Sequence, residues 1–167
     1  MKKNFFNFAM VAVVAIGAVT YTGCGKKGCT TEADDSFDSA ATEEDAGACD
    51  ESATVSKFEG SWTGQPGSYP FTVSQTGEVD YQININTNLG LLATGGLTQL
   101  PATNIKAKVS QKEATVANQT FYDGKVSGTI NYNSGSSMSI TYTLSEFPTP
   151  ANPDDDVNGT YTESISK

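Results

Sequence analysis

From about Val55 onward the sequence predicts an all-β domain, an antiparallel meander of about eight strands that closes into a barrel or folds into a sandwich. Three observations carry this. Apolar residues alternate with Ser, Thr, Asn, Gln or Lys at period 2, which sets one face of each strand on a core. Turn signals recur at short spacing: Pro66-Gly67, Thr76-Gly77, Gly95-Gly96, Asp123-Gly124, Asn133-Ser134-Gly135 and Asn158-Gly159. No stretch of this region carries the 3.6-residue period of an amphipathic helix.

The elements follow in order. Lys57-Phe58-Glu59-Gly60-Ser61-Trp62 opens the domain with the only Trp of the chain. Phe71 and Val73 mark a strand, and Val79, Tyr81, Ile83 and Ile85 mark the clearest one, in EVDYQININ. Ile105, Ala107 and Val109 follow, then Val126, Ile130 and Tyr132, then Met138, Ile140, Tyr142 and Leu144. Asp123-Gly124 between two such runs is a hairpin signal. Two loops interrupt the pattern. Residues 87–102 are apolar and glycine-rich, and read as a flexible strand pair, core packing or a lid over a barrel mouth. Residues 147–156 form a proline loop ending in Asp154-Asp155-Asp156, a solvated turn or a cation site.

In front of this domain stands a targeting segment. Met1-Lys2-Lys3 is cationic, and residues 5–19 form an apolar run of secretory length, shorter than the ~20 residues a spanning helix needs. The run ends in Thr20-Tyr21-Thr22-Gly23-Cys24, which resembles a bacterial lipobox. That resemblance implies cleavage after Gly23 and acylation of Cys24. One acyl chain holds a membrane weakly, whereas the several chains of a mature lipoprotein hold it stably. Residues 1–23 are then the signal peptide. Gly25 carries no inner-membrane retention signal and Lys26-Lys27 is not an acidic export tract, so the expected address is the outer membrane, on its periplasmic or surface face.

Cysteine parity agrees with that reading. The chain has three cysteines, an odd number for a secreted protein. With Cys24 acylated, Cys29 and Cys49 remain and can pair in an oxidising compartment. Residues 28–49, GCTTEADDSFDSAATEEDAGAC, resemble a short disulfide repeat found in secreted and surface proteins of Gram-negative bacteria. The matching positions are Gly28, Cys29, Thr30, Ala33, Asp38, Ala41, Thr42, Asp45, Gly47 and Cys49. Such a segment has too little apolar content to build a core and needs its bridge. Its carboxylates allow two readings. Asp34, Ser36, Asp38 and Asp45 fall at places 1, 3, 5 and 12 of an EF-hand-like Ca²⁺ loop, although place 6 is Ser39 and the last ligand is Asp. Alternatively residues 24–54 are a solvated acidic linker that holds the folded domain, residues 55–167, off the membrane.

The opening strand, with Phe58, Gly60 and Trp62, is similar to the Phe-x-Gly-x-Trp strand of lipocalins and fatty-acid-binding proteins, the calycins. The resemblance implies a barrel whose Trp plugs the closed end and whose cup takes one small apolar or amphiphilic ligand. Members stack an arginine on that Trp, and this chain contains no arginine. Candidate ligand walls are Trp62, Tyr81, Tyr132 and Tyr142.

Composition removes other function classes. The formal charge is −9 and all ten basic residues are Lys, so nucleic acid is not an expected partner. The chain has no His, and no serine motif, phosphate loop or acid–base pair is distinguishable, so no catalysis and no resident cofactor are expected. Two functions remain: a lipid-anchored binding protein, or a structural module whose Thr/Ser/Asn strand faces meet protein or glycan.

Overall fold

In the computed structural model, the described residues are 25–77, 79–89, 101–148 and 157–167. Cys24, Gly95-Gly96, most of the loop at 87–102 and Asp154-Asp155-Asp156 lie outside them. The elements are β1 (Lys27–Gly28), β2 (Glu43–Glu44), α1 (Glu51–Ser56), β3 (Gly60–Gln65), β4 (Tyr69–Gln75), β5 (Gln82–Thr87), β6 (Thr103–Ser110), β7 (Glu113–Phe121), β8 (Gly124–Ser134), β9 (Ser137–Ser145) and β10 (Gly159–Ser166).

Strands β3 to β10 form a closed barrel in sequence order, each pairing antiparallel with its neighbours, and β10 returns to β3. Closure decides for the barrel over the sandwich and leaves no edge strand exposed. The ring closes through three pairs, Ser164 with Gln65, Ile165 with Gly64 and Ser166 with Thr63. The alternation read from the sequence is the inside–outside alternation of the wall. Ile83 and Ile85, Ile105 and Val109, and Ile140 and Leu144 are buried in one continuous core with Phe58, Trp62 and Phe71.

Local departures have local causes. Strand β5 begins only at Gln82, because Tyr81 takes a φ of 54° in a turn and Val79 before it is 57% exposed. The β7–β8 turn is Tyr122-Asp123, one residue earlier than the Asp-Gly signal. Gly124 instead opens β8 because Phe147 lies over it, 2.3 Å from where a Cβ would sit. Strand β7 is bulged between Val116 and Gln119, which breaks its alternation. Beyond the three β6–β7 pairs, the Gln119 carboxamide spans the gap. Its Nε2 donates to the Lys106 carbonyl at 2.7 Å, and its Oε1 accepts from the Lys106 N–H at 2.9 Å.

The two ends of the barrel differ. The turns at 76–81, 111–112 and 135–136 define a near end, which the N-terminal segment covers. The short helix α1, not expected from the sequence, starts where the Asp50 carboxylate accepts the Ala53 N–H at 2.8 Å. It buries Thr54 and Val55 and crosses the expected 54/55 boundary. Phe58 packs on Tyr132 with ring centroids 5.7 Å apart, and Lys57 lies over both rings.

Cys29 and Cys49 are joined in a disulfide, and the loop they close is docked on this near end. Asp34, 0% exposed, accepts the Tyr81 hydroxyl at 2.8 Å and the Ser36 N–H at 2.8 Å. Asp35 takes the Lys57 ammonium at 2.5 Å while its N–H donates to Thr54 Oγ1. The Gln111 N–H donates to the Ala33 carbonyl at 2.7 Å. So the acidic segment lies against the near end of the barrel, where the sequence suggested a solvated linker. Burial alone would raise the Asp34 pKa, but the bonds from Ser36, Tyr81 and the Asp50 backbone outweigh it and hold the carboxyl below its usual range.

Two predictions follow from the docked loop. Tyr81→Phe leaves a buried carboxylate one donor short and should lower stability by roughly 1–3 kcal/mol in urea unfolding. Because the Asp34 pKa is depressed in the folded state, its contribution is present above the unfolded carboxylate pKa and lost as pH falls through the folded value. The wild type should therefore lose this increment in acid, and an equal gap between wild type and Tyr81→Phe down to pH 2 would contradict the linkage. Replacing Cys29 and Cys49 by Ser should cost ~3 kcal/mol from loop-closure entropy. Protease cleavage should then begin between residues 29 and 49 while the barrel persists.

Candidate functional site

The far end is defined by the turns at 66–68 and 122–123 and by the C-terminal ends of β5 and β9, Thr87 and Ser145. Here the inner wall carries a polar group. Tyr161, Glu163 and Ile165 share one parity on β10, and Ile165 is fully buried, so Glu163 also points inward. The Tyr69 hydroxyl donates to Glu163 Oε2. The Tyr142 hydroxyl lies 2.7 Å from Glu163 Oε1 and 2.7 Å from the Leu89 carbonyl oxygen. The Tyr142 and Tyr161 rings stack with centroids 5.3 Å apart.

Glycine makes the room for this group. A Cβ on Gly64 would lie 1.9 Å from the Tyr69 ring, so the bare backbone of β3 is what lets Tyr69 cross the wall toward β10. On the other side Gly128 pairs with Tyr142, and its absent Cβ would meet the β9 backbone at 2.4 Å.

The electrostatics follow from burial. Burial raises the Glu163 pKa, against the lowering effect of the Tyr69 and Tyr142 hydrogen bonds. Burial first, and then the adjacent carboxylate, push both tyrosines far above the ordinary phenol range. Both therefore remain protonated donors at any ordinary pH. No ion pair to Glu163 is formed among the described residues.

The four tyrosine and tryptophan positions predicted as ligand walls do not come together. Tyr142 belongs to the Glu163 group. Trp62, Tyr81 and Tyr132 lie toward the near end, each with a structural partner. Trp62 Nε1 donates to the Phe58 carbonyl at 2.8 Å, Tyr81 holds Asp34, and Tyr132 packs on Phe58. The indole also has a cation after all. Lys167 Nζ sits 4.1 Å from the Trp62 ring centroid and donates to the Glu59 carbonyl at 3.0 Å. Gly60, at φ 115°, leaves the space that the Lys167 side chain occupies.

The proposed calcium residues are spread out. Asp34 faces Tyr81, Ser36 is exposed and uses its N–H on Asp34, Asp38 pairs with Lys26 at 2.6 Å, and Asp45 is exposed. Among the described residues, the acidic and cysteine side chains whose ligand atoms lie within 4.8 Å of one another are Cys29, Glu44 and Cys49, and the two cysteines share a disulfide.

Sequence reading missed Tyr69, Tyr161 and Glu163. The available signal was parity. In TYTESIS, Glu163 occupies the inward phase set by Ile165, where an acid is out of place unless bonded. Comparison of the chain with known family models, with curated proteins and with solved structures found no match.

A raised acid pKa in the folded state means that stability is greatest with the proton on. It is fully present below the unfolded pKa of about 4.3 and lost as pH rises through the folded value. Glu163→Gln removes that loss. Its melting temperature relative to wild type should rise between pH 4 and pH 7, and a difference independent of pH would contradict the assignment of Glu163 as a buried, titrating carboxylate.

Proposed function

We propose that this protein is a lipid-anchored envelope lipoprotein whose non-catalytic, lipocalin-like barrel binds a small apolar or amphiphilic ligand at its far end. The observation that carries the reading is Glu163, a half-buried carboxylate on the inner wall of a barrel whose core is mostly apolar. Isolated polar groups in apolar surroundings are the usual means by which such sites orient a ligand. An acid at this place lowers stability at neutral pH, which suits a functional role better than a structural one.

The anchor reading fits the arrangement of the ends. Cys24 directly precedes the segment docked on the near end, so an acyl group there would set that end toward the bilayer and Glu163 away from it. The address is the outer membrane, on the periplasmic or surface side. The acidic segment acts here as a weld between anchor and barrel, because Asp34 is engaged by Tyr81, Asp35 by Lys57 and the Ala33 carbonyl by the Gln111 N–H.

A second reading rests on the outer face of β9 and β10. The hydroxyls of Thr141 and Thr162 lie 3.1 Å apart, and those of Thr143 and Thr160 lie 2.9 Å apart, a two-by-two patch on the wall. Such a patch suits contact with protein or glycan.

Native mass spectrometry on protein extracted from its own host separates the two. A co-purified small molecule supports the binding protein, and a clean apo mass favours the module. Cys24→Ala should move the protein from the membrane to the soluble fraction and abolish incorporation of labelled palmitate. Continued membrane association would overturn the anchor.

A further inference from the structure

The disulfide is unequally covered, and a carboxylate stands against its open half. Cys29 is 1% exposed, whereas Cys49 is only half-buried. Glu44 Oε1 lies 3.0 Å from Cys49 Sγ. That carboxylate is held in place from its other side, where Oε2 accepts the Thr30 N–H at 2.9 Å and the Thr30 hydroxyl as well. The two Thr30 donors hold the Glu44 carboxyl below its usual range, so its charge is present at neutral pH. Register sets no lysine opposite it. In the β1–β2 pair Glu44 faces Gly28, while Lys27 faces Glu43. Lys26 is taken by Asp38 at 2.6 Å.

We propose that Glu44 makes this bridge a charge-selective redox switch, which resists small anionic thiols and opens to neutral or cationic ones. Opening is thiol–disulfide exchange, and the attacking thiolate is itself an anion. Burial of Cys29 directs the first attack to Cys49, beside Glu44. The thiolate sulfur bonds to Cys49 Sγ, and the electron pair of the Cys29–Cys49 bond leaves on Cys29 Sγ, which takes a proton from water. A second thiolate then displaces Cys49 from the mixed disulfide, and Cys49 is protonated in turn. The protein gains two electrons and two protons, and the reductant leaves as its own disulfide. During the first step the Glu44 carboxylate repels the incoming sulfur. An ammonium on the thiol compound offsets that repulsion, and a carboxylate on it adds to the repulsion. Because Glu44 is exposed, salt screens the effect. What the switch governs is the covalent closure of the loop that docks on the near end through Asp34 and Tyr81.

The test uses the full-length protein in nanodiscs of zwitterionic lipid at pH 8 and low salt. It is reduced with cysteamine, 2-mercaptoethanol or glutathione, and alkylation of Cys29 and Cys49 is followed by peptide mass spectrometry. The readout is the ratio of the cysteamine rate constant to the glutathione rate constant, each per thiolate. Glu44→Gln keeps the shape and an acceptor for Thr30, and it should lower that ratio about threefold or more, with 2-mercaptoethanol falling between the two. Glu43→Gln removes the same unit of charge one residue away and should change the ratio less. A ratio unmoved in Glu44→Gln would overturn the inference, and so would an equal change in Glu43→Gln. A variant loop that merely loosened would speed all three reductants alike and leave the ratio where it was, so instability cannot imitate the expected result.

Discussion

The seam between β10 and β3 is the constraint on which the rest of the molecule depends. Three residue pairs close the ring there, and the first and last strands of the barrel are the ones that meet. Closure therefore fixes the ends of the domain against each other. At the near end it brings Lys167 onto Trp62 and the Glu59 carbonyl. On the far side of the same seam it brings Tyr69, crossing over Gly64, onto Glu163. A barrel open at this place would have neither the Lys167–Trp62 contact nor the Tyr69–Glu163 bond.

The two ends handle buried acids in opposite ways. Asp34 is fully covered, yet donors from three neighbouring residues, Ser36, Tyr81 and Asp50, keep it charged and make it a structural anchor for the disulfide loop. Glu163 is only half covered, but its surroundings on the inner wall are poorer in donors, and burial dominates. Exposure alone would rank them the other way. What decides is how many donors face each carboxylate, because hydrogen bonds to the charged form offset desolvation.

Much of the fold was legible in the sequence. Alternation in β5, β6, β8 and β9 located those strands, and the turn signals separated them. Two strands were not legible, for identifiable reasons. The bulge at Ala117-Asn118 in β7 shifts the inward phase, so Ala114 and Val116 fall out of step with Phe121. In β10 the inward positions are Tyr161, Glu163 and Ile165, and only the last is fully buried and apolar. Six residues of α1 carry too short a pattern to register a helical period. The site was legible in one residue of four, Tyr142. The carboxylate at its centre follows only from strand parity, and the parity of β10 follows only from pairing. The docking of the acidic loop was hidden because a run of carboxylates reads as solvated until a partner such as Tyr81 is placed beside one of them.

The welded disulfide loop changes the mechanics of attachment. A free chain from Cys24 to Ser52 would extend about 3.3–3.6 Å per residue and give the barrel a tether of ~90–100 Å. With the chain folded from Lys26 onward, through its pairing with residues 42–44 and the docked disulfide loop, the slack shrinks to the two steps from Cys24 to Lys26, ~7 Å at full stretch. In the anchored protein proposed here the barrel would not roam its surroundings. It would ride close to the bilayer in a nearly fixed attitude, sampling molecules that pass within a few nanometres of the surface.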